Sequence, residues 1–140
     1  MQPIKISVDF DNTLDRPDVQ EYIKSLVNLG VEVWIVTARF DSTSKYTSDL
    51  IEAWGIKNLK FEHNQLFEVA EELGINRNHI VFMNMNPKKN FFIDNRDFLF
   101  HLDDDFVELS TIKYVNTVDV LSSNWKDLCN NYILNYDSKN

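Results

Sequence analysis

Two aspartates one residue apart, Asp9 and Asp11, follow directly on the run Ile4-Lys5-Ile6-Ser7-Val8 and lead into Asn12-Thr13. In extended backbone an i, i+2 spacing sends both side chains to the same side. Two carboxylates so placed repel each other unless a cation or a shared proton makes up the difference. Two later stretches also close an apolar run on polar residue types: Thr37-Ala38-Arg39 after 31–36, and Asp103-Asp104-Asp105 after 98–102. Phe91-Phe92-Ile93 running into Asp94 repeats the pattern in a shorter form, just after Lys88 and Lys89.

The elements that must carry these residues follow from periodicity. A short apolar run ended by turn formers reads as a buried strand feeding a loop. From Asp15-Arg16-Pro17-Asp18 a helix is predicted, with proline near its start and an acid in its first turn. Val19, Tyr22, Ile23, Leu26 and Val27 recur on it at helical spacing, and Gly30 supplies the stop. The β-branched run 31–36 is a second strand, and strand, helix, strand is the rhythm of a parallel sheet. Ser42, Thr43 or Ser44 can cap a helix carrying Tyr46, Leu50, Ile51 and Trp54, followed by Gly55 and a short strand at 59–62. Asn64 can cap a helix carrying Leu66, Val69, Ala70 and Leu73 and ended by Gly74, with a strand at 80–83 and a loop at 84–87. Residues 98–102 form another strand, 106–112 a short helix and 114–118 a last strand. Ser123 or Asn124 caps a terminal helix on Trp125, Leu128, Cys129, Tyr132 and Ile133, and 137–140 is a polar tail expected to fray. The expected fold is one α/β domain over 1–136, a doubly wound, Rossmann-like parallel sheet with its ligands at the carboxyl ends of the strands.

Asp9-Phe10-Asp11-Asn12-Thr13 resembles the first motif of the haloacid dehalogenase superfamily, whose phosphatases carry Asp-x-Asp-x-Thr after an apolar strand. Val33-Trp34-Ile35-Val36-Thr37 is similar to the second motif, an apolar strand ending in Thr or Ser. The third motif is a lysine at the start of a helix or turn. Lys88 and Lys89 both fall in the interval, Lys89 being preferred, and Lys60 lies within a strand candidate. The fourth motif supplies acids after another strand, and Asp94 competes with Asp103 and Asp104. Element order favours the second pair, because 94–97 could join only antiparallel neighbours whereas a parallel crossover needs a helix. Residues 91–93 then become a helical turn after Lys89.

The resemblance spans nearly the whole chain and implies a small, HAD-like, Mg²⁺-dependent phosphohydrolase working through an aspartyl-phosphate. It makes Asp9 the nucleophile and a metal ligand. Asp11 becomes the acid/base, with its backbone carbonyl on the metal. Thr37 would hold a phosphoryl oxygen and Lys89 supply positive charge. Asp103 would be a direct ligand, with Asp104 a ligand through water or the orienter of the lysine. Asn12, Thr13, Ala38 and Arg39 fall beside these as substrate-binding positions. To hold a proton for part of the cycle Asp11 needs a pKa raised by roughly two to three units, each about 1.4 kcal/mol. The acid at position 11 also sets the chain apart from dehalogenating members. Between Leu14 and Val31 there is room for one helix only, so no lid domain follows the first motif, and 64–87 could form at most a small flap. Such a lidless site suits a phosphate ester that is itself bulky, such as a nucleotide, a nucleic-acid end or a phosphoprotein, or it is closed by a second copy in a homodimer.

Composition narrows the classes. With 44% hydrophobic and 13% aromatic residues over 140 positions the chain can fold without staples. A formal charge of -8 argues against a general nucleic-acid-binding or lipid-binding surface. One cysteine, Cys129, excludes an internal disulfide, and no signal or membrane-spanning run is present, so a soluble cytoplasmic protein is expected. His101 reads as a buried strand histidine, His63 and His79 as solvated, the tryptophans as core, and Asp105 and Glu108 as the acidic first turn of a helix. Arg39 either clamps a substrate phosphate or pairs with an acid. Two rival classes remain: a catalytically silent binding or regulatory module of the same fold, and a receiver domain. Asp9-Phe10-Asp11 speaks against the receiver, which has adjacent acids after its first strand and an acceptor aspartate after its third.

Overall fold

Strand alternation divides the molecule. In the computed structural model, which describes residues 2–41 and 63–139, the strands are β1 (Lys5–Val8), β2 (Glu32–Thr37), β3 (Ile80–Phe82), β4 (Phe100–Asp103) and β5 (Asn116–Asp119). They form one all-parallel sheet in the order β3-β2-β1-β4-β5. The described helices are α1 (Pro17–Asn28), α2 (Asn64–Leu73), α3 (Lys88–Asp94), α4 (Phe106–Thr111) and α5 (Trp125–Lys139). Ile6, Val8, Val33, Ile35, Phe100 and Leu102 point to one face, where they bury against apolar residues of α1, α2 and α5. Val36 and the α3 and α4 residues Phe92 and Leu109 make a smaller core on the other face.

The chain runs outward from β1 through β2 to β3, then returns to the far side of β1 for β4 and β5. The winding therefore reverses between β1 and β4, and in such a sheet the crevice beyond the carboxyl ends at that point is where ligands bind. Asp9 follows the last residue of β1 and Asp103 is the last residue of β4, so both stand at the reversal.

Several boundaries differ from those expected. His63 rather than Asn64 occupies the position before α2, with no side-chain cap, and Asn64 is its first helical residue. Residues 64–87 are no flap: α2 packs on α1, and β3 extends the sheet beside β2. Gly74, at φ 80°, closes α2 in the left-handed conformation that glycine adopts freely. The last strand starts at Asn116, later than expected, and α5 continues through 137–139 because neither glycine nor proline interrupts it. The helix capped at 42–44 and the strand at 59–62 lie outside the described residues. Among the described residues no helix is long and apolar enough to cross a membrane.

Candidate functional site

Beyond β1 the chain makes a wide turn. The amides of Leu14 and Asp15 reach back five residues to the carbonyls of Asp9 and Phe10, both at 3.1 Å. Asn12 sits at φ 59°, a left-handed conformation that asparagine tolerates. The turn buries Phe10 and Thr13 and leaves Asp9, Asp11 and Asn12 lining a cavity of about 160 Å³ with Ala38, Lys88, Asp103, Asp104, Asp105 and Glu108.

Asp9, Asp103 and Asp104 each offer a carboxylate oxygen within 4.8 Å of the others, so the three could hold a metal ion. The one ammonium among them belongs to Lys88. Its Nζ lies 2.6 Å from Asp103 Oδ2 and 3.0 Å from Asp9 Oδ1, and the residue is 2% exposed. This corrects the preference for Lys89, which is exposed. Asp94, at the far end of α3, is exposed as well and belongs to no such cluster among the described residues.

The turn ahead of α3 selects between the two lysines. Asn84 and Met85 adopt φ 53° and 62°, and the amides of Met83, Asn84 and Met85 bond to the carbonyls of Thr37, Arg39 and Ala38. A left-handed methionine costs on the order of 1–2 kcal/mol, so this lacing to the end of β2 must hold it. Pro87 then starts the helix with Lys88 as its first residue, whose amide donates to Glu108 Oε1 at 2.6 Å. Glu108 thus ties α4 to α3, a part its place in an acidic first turn does not announce.

Hydrogen bonds separate the three aspartates. Asp103 Oδ1 accepts the amides of Asp104 and Asp105, at 2.8 and 3.1 Å. Its Oδ2 accepts from Lys88 Nζ at 2.6 Å and His101 Nε2 at 2.8 Å. A carboxylate has about four lone-pair directions, and here each has a donor. Burial alone would raise the Asp103 pKa, but the hydrogen bonds from His101 and Lys88 and the Lys88 charge outweigh it and hold the group below the ordinary carboxylate range. Asp9 and Asp104 are not so provided. Burial pushes Asp9 well above the usual value against the opposing Lys88 charge, with the Asp103 charge adding to the rise. Burial raises Asp104 too, with the Asp103 charge adding to the rise. Lys88 is held protonated, since burial opposes its charge but Asp9 and Asp103 more than restore it. Three acids around the Lys88 ammonium leave negative charge in excess. An all-oxygen donor set in that position suits a hard cation.

The remaining residues are placed less simply. Thr37 is fully buried, its hydroxyl accepting the Arg39 amide at 3.3 Å, and it is Ala38 that lines the cavity. Thr13 Oγ1 donates to Asp104 Oδ1 at 3.2 Å. Arg39 lies over the Phe10 ring and grips both oxygens of Asp11, Nε to Oδ2 at 2.9 Å and Nη2 to Oδ1 at 2.8 Å. Of the two roles open to Arg39, pairing with an acid is the one seen. His63 is buried, not solvated: it meets Arg39 Nη1 at 3.1 Å and the Phe40 carbonyl at 2.8 Å. His79 stacks on Trp34 with ring centroids 4.4 Å apart. No protein-family model matches the sequence, and neither the curated proteins nor the solved structures give a match.

Proposed function

We propose that the chain is a Mg²⁺-dependent phosphohydrolase of the haloacid dehalogenase type, acting on phosphate monoesters through an aspartyl-phosphate on Asp9. The observation that carries this reading is the buried Lys88 ammonium between Asp9 and Asp103, beside Asp104, at the reversal of the sheet. Asp9, Asp104 and the Asp11 backbone carbonyl would hold the ion, with Asp103 spent on orienting Lys88. Bound there, Mg²⁺ would neutralise charge on the transferring phosphoryl oxygens. Asp9 would attack phosphorus as the bond from phosphorus to the leaving alcohol oxygen breaks, and Lys88 would offset the charge that remains. Water would then cleave the aspartyl-phosphate to inorganic phosphate and free Asp9.

Asp11 would serve as the acid/base, and exchanging a proton with the leaving oxygen would require one of its two bonds from Arg39 to open. A cavity of about 160 Å³ accommodates a phosphoryl group and its ion; whole small-molecule sites need roughly 300 Å³ or more. The described walls therefore enclose only the phosphoryl end of a nucleotide, a polynucleotide terminus or a phosphoprotein.

The Arg39 clamp on Asp11 favours a second reading, a metal-binding module without turnover. A receiver fits worse, because its strands run 2-1-3-4-5 whereas the described strands run β3-β2-β1-β4-β5. Incubation with p-nitrophenyl phosphate, with Mg²⁺ or with chelator, separates these. The phosphatase reading expects phosphate release that needs Mg²⁺ and vanishes in Asp9→Asn with the fold intact. Full activity in that variant rules out the covalent route, and Mg²⁺ binding by calorimetry without release selects the silent module.

A further inference from the structure

Ser7 on β1 and His101 on β4 are register partners across the middle of the sheet, and both are 0% exposed. They sit on the face covered by α3, with the Phe92 ring 5.2 Å from the imidazole. A buried polar pair at a strand centre costs free energy unless every group is bonded, and apolar residues would pack there without that requirement. Both ring nitrogens are engaged: Nδ1 lies 2.8 Å from Ser7 Oγ and Nε2 2.8 Å from Asp103 Oδ2. The Asp103 carboxylate only accepts, so Nε2 carries the hydrogen. Nδ1 is the ring's other bonding atom, and the Ser7 hydroxyl is its partner.

Those bonds join into one chain. Ser7 fixes the tilt of His101, His101 fixes Oδ2 of Asp103, and Asp103 holds Lys88 at 2.6 Å while the same ammonium reaches Asp9 at 3.0 Å. The strand alternation that sends Asp9 and Asp103 to one face also sends Ser7 and His101 there, two residues earlier on each strand. We propose that His101, supported by Ser7, is a positioning residue that holds Asp103 in the rotamer aiming Lys88 at the nucleophile. The kinetic part of this inference rests on the phosphatase reading; the placement of Lys88 does not.

The test uses the full chain and three substitutions. His101→Leu keeps volume and removes both bonds, His101→Gln returns an N–H donor near the Nε2 position, and Ser7→Ala removes only the far support. Partners that orient a site from behind typically contribute 10–100-fold. His101→Leu is therefore expected to lower kcat for p-nitrophenyl phosphate by roughly that factor, leaving KM within about threefold, with Ser7→Ala intermediate. His101→Gln is expected to restore most of the loss. A second readout needs no turnover: limiting acetic anhydride, with peptide mass spectrometry comparing Lys88 with its exposed neighbour Lys89. In the unaltered protein Lys88 is expected to react at least about tenfold more slowly. The gap should narrow severalfold in His101→Leu and persist in His101→Gln. A folded His101→Leu with unchanged kcat and unchanged Lys88 protection overturns the proposal, as does an equal loss in the leucine and glutamine variants with melting temperatures lowered alike. If the unaltered protein releases no phosphate, the phosphatase reading fails and the acylation ratio alone decides whether His101 positions Lys88.

Discussion

Replacing Lys88 with methionine removes a cation that is 2% exposed and lies 2.6 and 3.0 Å from two buried carboxylates. Breaking a buried pair by deleting one partner costs about 3–5 kcal/mol, because the other charge stays buried and unpaired. For a chain of 140 residues, an unfolding entropy of about 2.1 cal/mol/K per residue sums to roughly 0.3 kcal/mol/K, so the melting temperature should fall by about 10–17 °C. Lys89→Met is the matched control, an exposed position expected to change stability by less than about 0.5 kcal/mol. The sign of the pH dependence follows from Asp103. Its pKa is depressed in the folded protein, so its stabilisation is present above the unfolded value near ~3.9 and lost as pH falls through the folded one. The deficit of Lys88→Met should accordingly be largest near neutrality and shrink in acid. Urea unfolding of both variants with chelator present measures it. Midpoints for Lys88→Met and Lys89→Met that coincide at neutral pH would refute the claim that the acids hold Lys88.

Other outcomes follow from the same charges. Asp9 and Asp104 have raised pKa values, so the stability they contribute is present below the unfolded carboxylate value and lost as pH rises through the folded one. Metal-free protein should therefore lose stability as pH rises above the ordinary carboxylate range, and the increment from Mg²⁺ should grow over the same range as protons cease to compete; an increment that does not change with pH would contradict the raised values. Substituting the adjacent acids should have opposite effects on metal-free protein: Asp104→Asn raises the melting temperature and weakens Mg²⁺ binding, whereas Asp103→Asn lowers it by unpairing Lys88. Calorimetry and thermal melts on the two variants read this, and shifts of the same sign would remove the distinction between them. Arg39→Lys keeps the charge but loses the fork on Asp11, and should cost about 1–3 kcal/mol in denaturant unfolding; an unchanged midpoint would show that the fork contributes nothing.

Much of the architecture can be read without coordinates. The alternation of Ile6 and Val8 with Ser7, the β-branched run of β2 and the left-handed stop at Gly30 are local signals that depend only on side-chain shape and backbone sterics. They imply a parallel sheet with Asp9, Thr37 and Asp103 at its carboxyl edge. The crossover rule also selects Asp103 over Asp94, because two adjacent parallel strands cannot be joined by so short a link. The strand at 80–82 was legible too, but its pairing with β2 was not, since partners distant in sequence leave no local trace.

The particulars of the site were decided only by packing. Lys88 and Lys89 are equivalent as neighbours in sequence, and a helix turns about 100° per residue. Which one meets the acids depends on where the left-handed Asn84-Met85 turn, laced to Thr37, Ala38 and Arg39, starts α3. The division of labour among three aspartates likewise depends on which lone pairs His101, Lys88 and two amides already occupy. Sequence by itself determines that carboxylates gather at one edge, because strand period and chain order are local properties. Which of them is free to take a cation is a matter of contacts between β1, β4 and α3, and those exist only once the chain has closed.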